Sequence, residues 1–192
     1  MAEWTAVALT EARQVAELID EAADPDALPP HEVTARAGYD ALRQAGPTAE
    51  AVEYLGHALP RYEGVAWAAK VLDEESRRRE LPRRDRQALD VTLRWLHDPS
   101  DAHRRAAGAA GEAAGERSPE RYLALAAFYS GGSVVEPGLP PTPPPPHAAP
   151  RLAVGAVQGA GWRGGESDRL FARALDLGER VAEGGVAAVW PR

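Results

Sequence analysis

Apolar residues recur every three or four positions through most of the chain, which is the spacing of one face of an α-helix. Between residues 60 and 133 this pattern predicts four consecutive helices. The first carries Trp67 on an apolar face that covers much of its circumference, which is typical of a central helix. The second carries Trp95, the third is rich in alanine and glycine, and the fourth contains Tyr122. This stretch is expected to form the centre of the fold.

Prolines precede most of the predicted helices, where the missing N–H removes no helical hydrogen bond. Asp98 and Ser118 are predicted as the N-caps of the third and fourth central helices. Short gaps between successive helices favour antiparallel neighbours. The starts predicted in this way are Pro30, Pro47, Pro60, Pro82, Pro99, Pro119 and Pro150. The helix that starts at Pro30 is expected to bury Val33, Ala37, Ala41 and Leu42.

Glycines inside two of the predicted helices indicate close packing. Gly108 and Gly111 each cost about 1 kcal/mol relative to alanine in a helix interior, so we expect a neighbouring element to approach them. Gly155 and Gly159 share one face of a later apolar helix, and we expect that face to pack inside the core.

The composition changes after Gly132, where a proline-rich run leads to His147. Such a run forms neither a helix nor a central strand, and it is expected to be extended polyproline II. One interpretation is a docking segment for a partner with an aromatic groove, with Pro143, Pro144 and Pro145 as contacts. The other is a stiff strap that crosses the domain between two helices.

These patterns predict an all-α protein with a single domain over residues 1–192. Its architecture is expected to be a bundle, or stacked antiparallel helical hairpins, of about eight or nine helices. The parts are N-terminal helices in 1–59, four central helices in 60–133, the proline-rich strap in 134–149 and C-terminal helices in 150–192.

Composition narrows the possible functions. The 192 residues suffice for one well-filled core. A net charge of -7 argues against a partner that is nucleic acid or an anionic membrane. The chain has no cysteine, which excludes disulfides and thiolate metal sites. Neither a signal peptide nor an apolar stretch of about 20 residues is evident, so we expect a cytoplasmic location.

One cluster has the residue types of a metal site. His97, Asp98, Asp101 and His103 fall within seven positions, and zinc accepts such ligands. However, a helix break at Pro99 separates the histidines, and capping and dipole effects explain the two aspartates. The sequence therefore predicts no metal and no cofactor.

Glu53 and His57 lie one helical turn apart, as a general base and its orienting partner would. A pair on an exposed helix face also explains them, and this is the interpretation we prefer. The chain contains neither a nucleophile-elbow serine nor a phosphate-binding glycine loop, so no catalytic residue is predicted.

Arginines are concentrated at the junction of the first two central helices, where they could bind an acidic partner or a phosphate backbone. Nearby acidic residues, which include Asp73, Glu74, Glu75, Glu80 and Asp85, are expected to cancel much of the field and leave a solvated loop. The candidate partner-binding arginines are Arg77, Arg78, Arg79, Arg83, Arg84 and Arg86.

Several strings within about residues 51–160 resemble an uncharacterised bacterial family found near gene clusters of type VI-like contractile secretion systems. They are Trp67-Ala-Ala, Trp95-Leu-His-Asp-Pro-Ser followed by Arg104-Arg-Ala-Ala, and Ala126-Ala-Phe-Tyr-Ser-Gly-Gly-Ser with prolines after it. That resemblance implies no known activity. The two tryptophan helices and the alanine-rich helix also look like those of bacterial immunity proteins, which bind and neutralise toxins.

The sequence and these resemblances together favour a non-enzymatic protein-binding module. It would act as an adaptor, chaperone or immunity protein for a secreted bacterial effector. One alternative is a small metal- or ligand-dependent enzyme that uses His97 and His103, or Glu53 and His57. Another is a structural subunit that self-associates through its alanine/glycine helices. The identity of the partner and the oligomeric state stay open.

Overall fold

The computed structural model describes residues 3–191, and the elements within that range are helical. Nine α-helices and a short 3-10 helix form there, and an isolated backbone bridge between Glu11 and Thr34 is the sole strand-like pairing found in the range. The predicted all-α class is confirmed. The helices are α1 (Ala12–Ile19), α2 (Ala35–Gln44), α3 (Ala49–Ala58), α4 (Arg61–Ser76), α5 (Arg83–His97), α6 (Asp101–Ala113), α7 (Pro119–Tyr129), α8 (Ala148–Gly164), α9 (Ser167–Gly184) and the 3-10 helix Val186–Ala188.

Helix α4 lies at the centre, in contact with α5, α7, α8 and α9. Residues 64–69 are all buried, as expected of a helix that is apolar all round. Trp67 is fully buried, and its indole N–H donates to the carbonyl of Ala174 at 2.7 Å. Gly178 lets α9 come this close, because a Cβ there would lie 3.1 Å from the indole nitrogen.

Helices α5 to α8 are successive antiparallel neighbours, which confirms the predicted hairpins. The start of α5 meets the end of α6 where Asp85 accepts from the N–H of Gly115 at 2.9 Å. Gly108 and Gly111 are close-packing positions as predicted. A Cβ at Gly108 would lie 2.8 Å from the ring of Phe128 in α7.

The prediction for α2 was wrong in its start and in its buried face. The helix begins at Ala35 rather than at Pro30, because Thr34 is the N-cap and accepts from the N–H of Ala37 at 3.1 Å. Residues just before it pair with the segment ahead of α1 and are not free to join the helix. The buried positions are Ala35 and Tyr39, whereas Ala37 and Ala41, predicted to face inward, are exposed.

Two other local predictions are corrected. Ser100, not Asp98, is the N-cap of α6, because the serine hydroxyl accepts from the N–H of His103. Gly155 does not pack in the core, since a Cβ there would meet nothing within 4 Å. Gly159 has only an ordinary contact, at 3.4 Å from Pro119.

The C-terminal segment closes over α4. Gly185 ends α9 with a φ of +69°, and Val189 is buried a few residues later. The indole of Trp190 donates to the carbonyl of Ala66 at 3.0 Å. No helix within residues 3–191 combines the length and the hydropathy that crossing a bilayer requires.

Candidate protein-binding loop

The connection between α7 and α8 is much longer than the distance it has to bridge. Glu120 near the start of α7 pairs with Arg163 near the end of α8, so the two helices are antiparallel neighbours and the ends to be joined lie on the same side of the pair. Helix neighbours of this kind are usually connected by about 2–8 residues. Here the connection comprises residues 130–147, which we call the proline loop. The proline loop is therefore longer than is usual for a connection between neighbouring helices.

Two arginines of α6 hold the point where the proline loop leaves α7. The guanidinium of Arg104 donates to the carbonyls of Phe128 and Ser133, and that of Arg105 donates to the carbonyl of Val135 at 2.9 Å. Arg104 is only 4% exposed, and its guanidinium also lies over the Phe128 ring. Because backbone carbonyls satisfy this buried cation, the start of the loop is fixed to the helical core.

A carboxylate at the start of α6 orients both arginines. Asp101 accepts from Arg104 at 2.6 Å and from Arg105 at 2.9 Å. These hydrogen bonds, that from Arg104 first, lower the pKa of Asp101 below its ordinary value. The carboxylate is accordingly charged near neutral pH, and it holds the two guanidinium groups side by side.

The loop also closes on itself. The N–H of Val134 donates to the carbonyl of Thr142 at 2.9 Å, and the N–H of Thr142 donates to the hydroxyl of Ser133 at 3.1 Å. A ring of ten residues, 133–142, is thereby tied at its base. Compact loops with joined ends are ordered by their own contacts and are frequently functional.

An apolar side chain projects from the tip of this ring. Leu139 is 58% exposed and is one of two large hydrophobic residues in the described chain that are left open to solvent. Gly138 makes the turn before it, with a φ of +97° that other residues rarely adopt. All residues in 136–143 are exposed.

The returning limb combines exposed and buried prolines. Of the three prolines predicted as contacts, Pro143 and Pro145 are exposed, whereas Pro144 is buried and anchors the limb. Pro140 and Pro143 are both exposed, and the polyproline II conformation expected from the sequence, with three residues per turn, would place them along one edge. At its end the limb is held by His147, whose Nδ1 lies 2.6 Å from a carboxylate oxygen of Glu21.

The predicted arginine segment divides into bound and unbound side chains. Arg77 pairs with Asp73, Arg78 lies 3.7 Å from Glu75, and Arg86 donates to the hydroxyl and carbonyl of Ser76. Within the described chain, no hydrogen bond or ion pair of the side chain is found for Arg79, Arg83 and Arg84.

The histidines and aspartates around Pro99 do not assemble into a metal site. The ring of His103 contacts the carbonyl and carboxylate of Asp98, at 3.0 and 3.2 Å, while Asp101 serves the arginines. His97 instead lines a different groove. Across residues 3–191 no group of three or more histidine, cysteine or acidic side chains is placed to hold a metal ion.

Glu53 and His57 are not the exposed pair predicted. His57 is 1% exposed, and its Nδ1 lies 2.8 Å from the backbone carbonyl of Glu53 rather than from the carboxylate. Its Nε2 is buried without a hydrogen-bond partner. Burial, together with the positive charges of Arg151 and His147, lowers the pKa of His57 below its ordinary value. In the described chain, neither His97 with His103 nor Glu53 with His57 forms a hydrogen bond between its two side chains. These contacts therefore do not support the alternative of an enzyme that uses those residues.

Sequence reasoning missed a groove of about 920 Å³ between the start of α4, the end of α5 and the C-terminal segment. Tyr62, Leu96 and Trp190 are among the residues that line it. The hydroxyl of Tyr62 donates to the carbonyl of Leu96, and the indole of Trp190 is bonded to Ala66. The hydroxyl of Tyr62 and the indole N–H of Trp190 are therefore already hydrogen-bonded within the protein.

The fold and the loop together define an all-α protein with an exposed proline loop whose base is hydrogen-bonded to the helical core. The chain belongs to a family of unknown function, DUF6931, whose model matches residues 38–182. The matched region includes the central helices and the whole proline loop. No curated protein and no solved structure is similar enough to this chain to be matched.

Proposed function

We propose that this protein is a non-enzymatic binding module that presents the proline loop to a partner protein. The observation that carries the proposal is the exposed tip and limb of a loop whose base is tied to the core. Leu139 would insert into a pocket of the partner, and Pro140 and Pro143 would lie along an aromatic-lined groove. Such grooves recognise polyproline II segments through proline faces and apolar anchors.

The anchored base favours binding because it reduces the entropy lost on association. A free segment loses backbone and side-chain freedom when a partner orders it, at a cost of about 1–2 kcal/mol per residue for the backbone alone. Proline has a fixed φ, and the contacts of Arg104, Arg105 and Thr142 restrict the loop further. A preorganised loop keeps more of its contact energy as affinity.

The resemblance to a bacterial family near contractile secretion systems suggests the biological setting. We propose a cytoplasmic adaptor, chaperone or immunity protein whose partner is a secreted effector or a component of the secretion apparatus. The same loop would serve each of these roles, because each requires a stable scaffold with a specific recognition element.

The experiment compares two variants in affinity purification from the native host, followed by mass spectrometry. The test variant is Leu139→Ala with Pro143→Ala, which removes the tip and one proline of the exposed edge. The matched control is Trp162→Ala, because Trp162 is the other exposed large hydrophobic residue, at 62%.

We expect wild type and the Trp162→Ala control to recover the same partner, and the loop variant to lose it. A synthetic peptide of residues 133–147 should compete for that partner in a direct binding assay. Equal recovery by the loop variant, with no competition from the peptide, would contradict the proposed role of the loop.

A further inference from the structure

We infer that the outer face of α5 binds an acidic segment of a protein partner. This surface is distinct from the proline loop, and the inference does not rest on the function proposed for that loop. It rests on the distribution of arginines that have no internal partner.

Most arginines in the described range are engaged by carboxylates or backbone carbonyls. The arginines of residues 3–191 for which neither a side-chain hydrogen bond nor an ion pair is found are Arg61, Arg79, Arg83, Arg84, Arg94 and Arg117. Three of these six, Arg83, Arg84 and Arg94, lie in α5, and Arg79 lies four residues before it. Half of the arginines without an internal partner are therefore carried by one helix.

The acidic residues near this segment leave the arginines of α5 without an ion pair. Asp73 and Glu75 contact Arg77 and Arg78, which precede α5, as the predicted cancellation requires. The carboxylate of Glu74 instead accepts two hydrogen bonds from Arg173 in α9, and Asp85 is 6% exposed and accepts from a backbone N–H in the turn after α6. None of these acids forms an ion pair with the unpaired arginines of α5.

Two of these arginines, Arg83 and Arg94, line a shallow concavity of about 400 Å³. Arg83, Gln87, Asp90 and Arg94 follow one another at helical spacing along one stripe. Arg86 completes the wall, and the hydroxyl and carbonyl of Ser76 hold its guanidinium at 3.1 and 3.2 Å. Asp90 is the single acidic residue of this lining, so the concavity is cationic.

The dimensions indicate an extended peptide rather than a single phosphate group. Arg83 and Arg94 are eleven residues apart, which corresponds to about 16 Å along a helix axis. An extended chain covers that distance with about five residues. Carboxylates also match the planar guanidinium group through two parallel hydrogen bonds.

The overall charge disfavours a long polyanion. The protein carries -7, so nucleic acid that reached beyond the concavity would meet repulsion, whereas a short acidic segment contacts only the local positive field.

Fluorescence anisotropy with a labelled peptide of about eight residues, alternating glutamate and serine, tests the inference at low ionic strength. The test variant is Arg83→Gln with Arg94→Gln. The matched control, Arg13→Gln with Arg180→Gln, removes the same charge from α1 and α9. Thermal unfolding verifies that both variants fold.

We expect the test variant to weaken binding by about tenfold or more and the control to change it by less than about twofold. Equal weakening in the two variants would overturn the inference, because it would show a response to net charge alone. A single-stranded oligonucleotide of matched length, or inorganic phosphate, binding as tightly as the peptide would overturn the assignment to an acidic protein segment. Absence of peptide binding to wild type at low ionic strength would also overturn it.

Discussion

Replacing Arg163 by alanine should destabilise the fold far more than the loss of an ordinary surface ion pair. Arg163 donates to both carboxylate oxygens of Glu120, at 2.8 and 2.9 Å. The side chain of Glu120 is 0% exposed, and that of Arg163 is 26% exposed. The substitution would leave a buried carboxylate without its guanidinium partner.

The expected cost follows from these burials. Removing one member of a fully buried pair typically costs about 3–5 kcal/mol, because the other charge stays buried and uncompensated. Two features reduce that figure here. Arg163 is partly exposed, so water can reach the vacated space, and Glu120 lies in the first turn of α7, where the helix dipole favours an anion. We therefore expect a loss of about 2–3 kcal/mol in the free energy of unfolding.

Urea unfolding followed by tryptophan fluorescence measures this difference. With a typical slope of about 2 kcal/mol per molar urea, the midpoint should fall by about 1 M. The control is Arg13→Ala, which breaks the pair with Glu17, and because the side chain of Glu17 is 52% exposed the loss should be less than about 0.5 kcal/mol. If Arg163→Ala lost no more stability than this control, with an unchanged slope, the carboxylate of Glu120 would not depend on its partner and the reasoning would be wrong.

Three further outcomes follow from the packing. The lowered pKa of His57 means that the unfolded chain binds the proton more readily. The free energy of unfolding of wild type should therefore fall as the pH drops below about 6.5, and His57→Gln should flatten that fall in thermal unfolding between about pH 5 and 7.5. Gly178→Ala should cost about 1–3 kcal/mol in urea unfolding, because its Cβ would lie 2.4 Å from a leucine methyl carbon, whereas Gly155→Ala, with open space around it, should gain about 0.5–1 kcal/mol. Arg104→Ala should speed amide hydrogen exchange at Val134 by about tenfold or more relative to the helical core, because the base of the proline loop loses its anchor.

Much of the fold was accessible from the sequence because helix formation here is local. Apolar periodicity located the central helices, and proline with a capping serine marked the start of α7. The wrong predictions concern positions whose burial is determined by contacts between helices that are distant in sequence. The buried face of α2 is set by Tyr39, whose hydroxyl donates to Glu179 in α9 at 2.6 Å, and His57 is covered by a helix far along the chain. Neither contact leaves a mark in the local pattern.

The candidate loop was predicted from composition, but its construction was not. The proline-rich run excluded a helix, and this left a docking segment and a stiff strap as interpretations, of which the strap was preferred. Weighing them further requires knowing that α7 and α8 are antiparallel and that Arg104 reaches carbonyls 24 and 29 residues away. The sequence strings quoted above contain Arg104, Arg105 and the residues before Ser133, but as separate motifs. In the structure Arg104 and Arg105 donate to backbone carbonyls within residues 128–135, and we call this set of contacts the clamp.

The clamp gives a physical reason to regard the loop as more than a connection. Burying an arginine is costly unless its donors are satisfied, and Arg104 satisfies them with the carboxylate of Asp101 and with backbone carbonyls of the loop and the end of α7. A short turn between adjacent helix ends would need no such cation. The loop also leaves Leu139 in water, which costs apolar hydration without stabilising the fold. The fixed base and the exposed apolar tip are therefore the two features on which the proposed binding role of the loop rests.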